Sequence, residues 1–534
     1  MTIFPRAALR SAIDKRPWLV PLAAWLLVVG AAAFRLWWFA LGADENEHLA
    51  VLYDIRSGKP PYALFEHHWP GLYLFGPWLI DFASPKAAIV SARVWTFLSF
   101  AVVAGVINVT WATTQPKRFG VWLLLAADLL VFWAMRDFRP ETMAMPFAVL
   151  GWFAMWRALS GRDEGKINRT WVIVAGLLLG LAADFSPRLL LPALAPGLLL
   201  AFSRLREQQH RAEIRKASAY FLPAFLVVPI VSLIYIVARH MSDLGWLRFS
   251  LLTFNRELVE GRFWGHDLVS GFADLPHWAP GKLVPLLLLL WMLWNLLLLA
   301  KWWFTKPNEE RAARQGLLTA IALASMLWWL AFGLTTAVIG VTLLTLAVHH
   351  SGLKDGMGRI GVVWASLLLL VTVLYLGGQV YSFMSPPGAA RHAANIEATF
   401  KHLPSRLSRL KYVGSERPLA TSIKQLTAIQ QAGCPGPVLS PQPFHPIVCA
   451  NASHILWFAP ADFESAFKKA HRTDLLVAGV KEIEGSRPTL VSRRGLADLF
   501  PTSPEYREQI EAFLTQAGYT RVVIAGQDYY RRPN

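Results

Sequence analysis

Charged side chains are scarce in this 534-residue chain, where they make up 16% of the residues against 54% hydrophobic ones. An ordinary soluble domain carries about 25% charged residues, so this composition, with a mean hydropathy of +0.38, excludes a water-soluble globule and points to a bilayer. Acidic groups are the rarer kind, 35 against 52 lysines and arginines, for a formal charge of +17. Glycine-rich phosphate loops and Walker motifs are missing, which removes the usual signatures of ATP-driven machines. Also missing are internal repeats and the paired halves with interrupted helices that mark many transporters. Cysteine is limited to Cys434 and Cys449.

Long apolar runs are abundant. About eleven stretches are long enough, or nearly so, to cross about 30 Å of hydrocarbon. They lie near 18–40, 88–112, 119–136, 140–157, 171–184, 188–203, 218–239, 282–303, 316–332, 335–348 and 360–381. The fifth, sixth and tenth are short, and each suits a tilted or re-entrant element as well as a crossing. The first run is longer than a signal-peptide core and lacks a small-residue cleavage site after it, so it reads as a retained helix. With the N-terminus inside, the basic clusters at Arg6–Arg16, Lys117–Arg118, Arg157–Arg169, Arg204–Lys216, Lys301–Arg314 and Lys354–Arg359 all fall on cytoplasmic loops. That alternation is the positive-inside pattern. It accounts for the excess charge by topology and argues against nucleic acid as a partner.

The same alternation predicts a polytopic α-helical membrane domain over 1–385, with periplasmic loops at 41–87 and 240–281. After Ser385-Pro386-Pro387-Gly388 the hydropathy drops, and residues 386–534 read as a small soluble periplasmic α/β domain. Predicted helices there are Arg391–Phe400, Leu419–Ala432, Ala461–Ala470 and Glu505–Ala517. Predicted strands are Val438–Ser440, Asp474–Val480, Thr489–Val491 and Arg521–Ala525. Both cysteines lie in this domain. In an oxidising compartment nearby thiols tend to pair, the alternative being two separate buried thiols.

The loop after the first crossing concentrates the chemistry. It reads Asp44-Glu45-Asn46-Glu47-His48, and then Pro60-Pro61-Tyr62 and Glu66-His67-His68-Trp69-Pro70. Asp44 with Glu47 three residues on resembles a capping box, with Leu49, Leu52, Tyr53 and Arg56 at helical spacing and Gly58 as the stop. A cap and a reactive carboxylate are compatible roles for Asp44. Glu66, His67 and His68, together with Asp44, Glu45 or His48, have donor types suited to a divalent metal ion. Adjacent histidines on a helix point about 100° apart, so one of the pair would reach a given ion.

An Asp-Glu pair just after the first crossing, an amphipathic helix, a Gly-x-x-Pro-Tyr turn and a His-His-x-Pro segment together resemble the GT-C glycosyltransferases. Within that class the pattern is similar to the branch of the bacterial protein O-mannosyltransferases and the lipid A aminoarabinose transferase. The resemblance implies sugar transfer from a polyprenyl-phosphate donor to a hydroxyl of a lipid, glycan or protein acceptor, at the periplasmic surface of the bacterial inner membrane and among its lipids. It maps the catalytic carboxylate onto Asp44, with Glu45 as its understudy, and implies an inverting displacement. Glu47, His48, Glu66, His67 and His68 become substrate-binding candidates.

A phosphate leaving group calls for cationic help. The short joints Arg136-Asp137-Phe138-Arg139-Pro140-Glu141 and Asp184-Phe185-Ser186-Pro187-Arg188 provide it, with Arg139, Glu141 and Arg188 as the candidates. The competing reading of these arginines is snorkelling to the headgroups. Family members often carry a lysine where this chain has Glu66-His67-His68, so phosphate contact by that segment does not carry over. In the 240–281 loop, Trp246, Phe249 and Phe254 fit either a sugar-binding surface or an interfacial helix. The alternative function for the whole chain is a transporter or flippase of a lipid-linked saccharide.

Overall fold

Backbone groups in hydrocarbon have no water to bond to, and helices meet that demand internally. The structure is a computed structural model. It describes residues 41–62, 68–106, 138–159, 167–206, 211–239, 243–254, 316–325, 419–440, 445–450, 461–500 and 502–533, with scattered positions at 22–37, 290–300 and 327. The predicted crossings at 119–136, 335–348 and 360–381, and the predicted helix 391–400, lie outside the described residues.

The membrane part opens with α1 (Ala43–Arg56) and α2 (Pro70–Phe75), both in the first loop, followed by α3 (Pro85–Val106). Next come α4 (Pro140–Ala158), α5 (Arg169–Phe185), α6 (Leu190–Arg206), α7 (Arg211–Arg239) and the short α8 (Leu244–Arg248), which continues as a π-turn over Phe249–Thr253. Among the described residues, α3 and the Ile214–Arg239 part of α7 are long and apolar enough to cross a membrane. The outer face of α7 exposes Leu222, Val231 and Ile234, an apolar surface that suits hydrocarbon and not water.

Small residues set how closely these helices approach. In α5, Gly176 and Gly180 lie one turn apart. A Cβ on Gly180 would run into the Phe225 carbonyl of α7, and one on Gly176 would come within 2.7 Å of the Phe221 carbonyl. This is the small-xxx-small arrangement by which apolar helices pack backbone to backbone where the hydrophobic effect offers no help. Gly71 does the same for the first loop, since a Cβ there would lie 2.7 Å from the Phe185 amide nitrogen. The missing side chain therefore seats α2 on the end of α5.

A buried ion pair locks α1 to α3. Arg93 lies in the third turn of α3 and is 2% exposed, and its guanidinium meets the fully buried Glu45 carboxylate at 2.5 Å. A second guanidinium nitrogen donates to the Leu36 carbonyl at 3.0 Å. One cation thus ties the first apolar helix, the first loop and α3 together. An arginine embedded in an apolar run is the signal that sequence offered for this tie.

The C-terminal part contains α9 (Leu419–Gly433), β1 (Val438–Leu439), α10 (Ala461–Lys469), α11 (Thr473–Ser486), β2 (Leu490–Ser492), α12 (Arg493–Leu499), α13 (Pro504–Gln516), β3 (Thr520–Ile524) and β4 (Gln527–Arg531). The sheet order is β1-β2-β4-β3, with β1 and β2 parallel and the other pairs antiparallel. Asp474–Val480, expected as a strand, is helical in α11. Its buried positions Leu475, Leu476, Gly479, Val480 and Ile483 follow a 3.6-residue period, which a seven-residue window of mostly apolar residues does not distinguish from a strand. The unexpected strand β4 pairs with β3 through a two-residue turn in which Ala525 and Gly526 both take positive φ, as right-twisted hairpins require. Cys434 and Cys449 form a disulfide with Cα atoms 5.6 Å apart, which joins the end of α9 to the segment beside β1.

This domain rests on the second loop. Phe467 of α10 stacks on Phe249 at 6.0 Å and packs against Phe254 at 5.6 Å. Arg472 lies 4.9 Å over the Phe249 ring. The Leu41 amide reaches Ser422 of α9 at 3.4 Å. Phe249 and Phe254 are therefore packing residues, and Asn255 to Gly281 lie outside the described residues.

Two predictions follow from these packing arrangements. Breaking a buried ion pair on one side leaves a bare charge and costs about 3–5 kcal/mol. Glu45→Gln should therefore lower the unfolding temperature in detergent markedly, with Glu45→Gln/Arg93→Gln recovering part of the loss; unchanged melting of the single variant would deny the tie. In the C-terminal part, His445 is fully buried, and burial pushes its imidazole down to about 3. An unfolded histidine titrates near 6.5, so the domain's stability is complete above about pH 6.5 and declines toward about pH 3, where the unfolded chain binds a proton that the folded one excludes. Hydrogen-exchange protection over 419–533 should fall between pH 7 and pH 5 in the parent and stay flatter in His445→Gln.

Candidate active site

The first turn of α1 divides two adjacent acids between two environments. Gly42, with φ −72° and ψ 154°, is the N-cap, and no side chain caps the helix. The capping box anticipated for Asp44 and Glu47 is therefore absent, because the helix starts two residues earlier than that pattern requires. Asp44 instead sits in the first turn, where a carboxylate complements the helix dipole. Its side chain is 48% exposed and meets the Arg139 guanidinium at 2.5 Å. Glu45, one residue on and about 100° around the helix, is buried against Arg93. It anchors the helix and has no open side toward a substrate, so the understudy role expected of it does not fit its position.

Arg139 is the N-cap of α4, in extended conformation, with Pro140 at the first helical position and Glu141 in the first turn. Proline at that position needs no amide partner and presets the helical φ, so the chain delivers Arg139 and Glu141 to one end of α4 as a unit. Glu141 meets Arg188 at 3.2 Å. Arg188 stands on a single 3₁₀ turn, Pro187–Leu189, which is capped by Ser186. In the same joint Asp184 turns inward and accepts a hydrogen bond from Ser232 of α7 at 2.7 Å. The ends of α1, α4 and α5 thus bring Asp44, Arg139, Glu141 and Arg188 into two linked ion pairs. The Arg188 side chain is 41% exposed and that of Arg139 20%, so both side chains are partly open to the outside.

The other first-loop candidates gather one turn along α1. Glu47 and His48 are buried, and His68 is partly exposed. The His68 Nε2 lies 3.9 Å from Glu47 Oε1, and the two imidazoles meet edge to face at 4.7 Å. His68 is held by its own backbone, whose carbonyl accepts the Tyr62 hydroxyl at 2.6 Å. Tyr62 is fully buried at φ +64°, a conformation that a bulky residue adopts only when its surroundings impose it. The Trp246 indole, donating to the Tyr62 carbonyl at 3.2 Å, is part of that imposition. Glu66 and His67 lie outside the described residues. Arg93 and Trp246 were missed as site-supporting residues, because their partners Glu45 and Tyr62 lie 48 and 184 positions away in sequence.

No protein-family model matches the sequence, and no curated protein does. Among solved structures, the chain is similar to ArnT from Cupriavidus metallidurans bound to undecaprenyl phosphate, with 12% identity and a TM-score of 0.54, covering 98% of this chain and 98% of that one. It is likewise similar to ArnT from Cupriavidus metallidurans in the apo state, at 13% identity and a TM-score of 0.51, over 97% and 98% of the two chains. The likeness spans the membrane part and the C-terminal part together, and with it the chain has the polytopic membrane GT-C fold of ArnT, the lipid A aminoarabinose transferase.

Proposed function

We propose that this chain is a membrane glycosyltransferase that moves a sugar from a polyprenyl-phosphate donor to an acceptor hydroxyl, at the extracytoplasmic face of a bacterial inner membrane. The observation that carries the reading is the half-exposed Asp44 carboxylate held against Arg139, beside the Glu141–Arg188 pair, at one end of the helix bundle. The undecaprenyl phosphate held by the ArnT structure of the same fold supports a lipid-phosphate donor.

In this reading the acceptor oxygen attacks the anomeric carbon as the bond from that carbon to the phosphate oxygen breaks, with inversion. The electron pair leaves on the lipid phosphate, and the acceptor's proton passes to Asp44. Arg139 and Arg188 supply planar guanidinium groups for the phosphate oxygens. As the phosphate engages Arg139, the Asp44 oxygen that was paired with it becomes available to the acceptor. The ion pair seen without substrate is then the resting arrangement, and donor binding is what frees the base.

Transfer assays in proteoliposomes with a panel of polyprenyl-phosphate sugars test this directly. Asp44→Asn should lower kcat by about 100- to 10,000-fold, the range for losing a general base, with the chain folded as in the parent. Arg188→Ala should raise KM for the donor by about 10-fold or more, as expected on losing one charge-assisted contact. Full activity of Asp44→Asn would remove Asp44 from the chemistry. A parent that transfers nothing yet moves lipid-linked saccharide across the bilayer would instead make the chain a flippase.

A further inference from the structure

We propose that one face of the β3–β4 hairpin is a docking surface for an acidic saccharide, a sugar chain bearing phosphate or carboxylate groups. Side chains alternate across a strand, so the register of the hairpin decides which of them share a face. Arg521 stands directly opposite Tyr530, and Val523 opposite Asp528. One step past the paired residues, Tyr519 and Arg532 continue the same face, so each arginine is set across from a tyrosine. The face is closed on one side and open on the other. Val491 of β2, opposite Tyr530, is fully buried, whereas on β3, the edge strand of the sheet, Arg521 is exposed and Val523 is 70% exposed.

Arg487 joins this row from the end of α11. The Arg532 guanidinium donates to the Arg487 carbonyl at 2.9 Å, and the Tyr519 hydroxyl donates to the neighbouring Pro488 carbonyl at 2.7 Å. Burial pushes the Tyr519 phenol up, and the positive charges of Arg532 and Arg487 pull it down, so both charges lie near that hydroxyl. The bond to the Arg487 carbonyl takes one of the five N–H donors of Arg532 and holds the group in place. Among the described residues, Arg487, Arg521 and Arg532 form no ion pair with a carboxylate. Asp528 lies at the other end of the row, beside Val523. Arg487 also occupies the C-cap of α11 at φ +46°, a left-handed conformation that glycine adopts freely and usually fills at helix ends. Helix termination alone does not call for a long cationic side chain there.

Charge complementarity selects an anion for this surface, since planar guanidinium groups grip phosphate and carboxylate oxygens in pairs. The half-buried rings of Tyr519 and Tyr530 add flat apolar surface with a polar tip, which suits the C–H face and the hydroxyls of a sugar ring. An acidic peptide would use the arginines alone. That the docked saccharide is the acceptor rests on the proposed sugar transfer, whereas its binding does not.

Binding is measured without activity, by titrating full-length protein in detergent with phosphorylated maltopentaose, oligogalacturonate, neutral maltopentaose and poly-glutamate. At least one acidic saccharide should bind about 10-fold or more tightly than neutral maltopentaose, and Arg521→Gln and Arg487→Gly should each weaken it by about 10-fold, as expected on losing a charge-assisted contact. Arg487→Gly separates binding from folding, because glycine relieves the left-handed backbone. Its unfolding temperature should equal or exceed the parent's while its affinity falls. Neutral maltopentaose or poly-glutamate bound as tightly as the acidic saccharides, or unchanged affinity in both variants, overturns the proposal. A parent that binds an acidic saccharide but transfers no sugar keeps the docking surface and removes the proposed function; a parent that transfers sugar yet binds neither acidic saccharide does the reverse.

Discussion

The buried contact between Glu45 and Arg93 is the constraint on which the rest of the site depends. Charges are costly to remove from water, and this pair is kept at the edge of an apolar bundle only because the two ions satisfy each other and the Leu36 carbonyl takes a further donor. What the arrangement achieves is orientation. With Glu45 pinned inward, the geometry of an α-helix leaves Asp44 facing out and places Glu47 and His48 on Asp44's side of α1. An anchor and an outward-facing group need be only one residue apart for a helix to point them in different directions.

The second organising feature is the convergence of chain segments that are remote in sequence. Proline starts α2 and α4, a serine-capped 3₁₀ turn follows α5, and a glycine lets the first loop press against the end of α5. These local devices bring Arg139, Glu141 and Arg188 to the region where Asp44 emerges. The C-terminal domain then closes on the second loop through Phe467 and Arg472 against Phe249. The same loop supports Tyr62 through Trp246, so the C-terminal part and the first loop pack on the same segment.

Much of this architecture was legible in the linear chain, because hydrophobic length, basic-loop alternation and the proline-glycine boundary are one-dimensional signals. The helices over 85–106, 140–158, 169–185 and 211–239 fall where apolar runs were read. The first-loop acids and the Arg-Pro-Glu joint stood out by residue type and position, and Asp44, Arg139, Glu141 and Arg188 do share one place in the structure. Errors arose where a short window supports two periods, as in Asp474–Val480, or where a turn conformation makes a strand, as at Ala525-Gly526.

By itself, the sequence determined that this protein lives in a membrane and which short segments concentrate its acidic, basic and histidine side chains, since both follow from composition and local order. Only the tertiary structure decided which of two neighbouring acids is exposed, which glutamate lies beside the histidines, and that a lone arginine in an apolar helix is an anchor. The physical reason is that a carboxylate's role depends on what surrounds it, and the surroundings of Asp44, Glu45 and Glu47 come from Arg139, Arg93 and His68, which only the fold brings beside them.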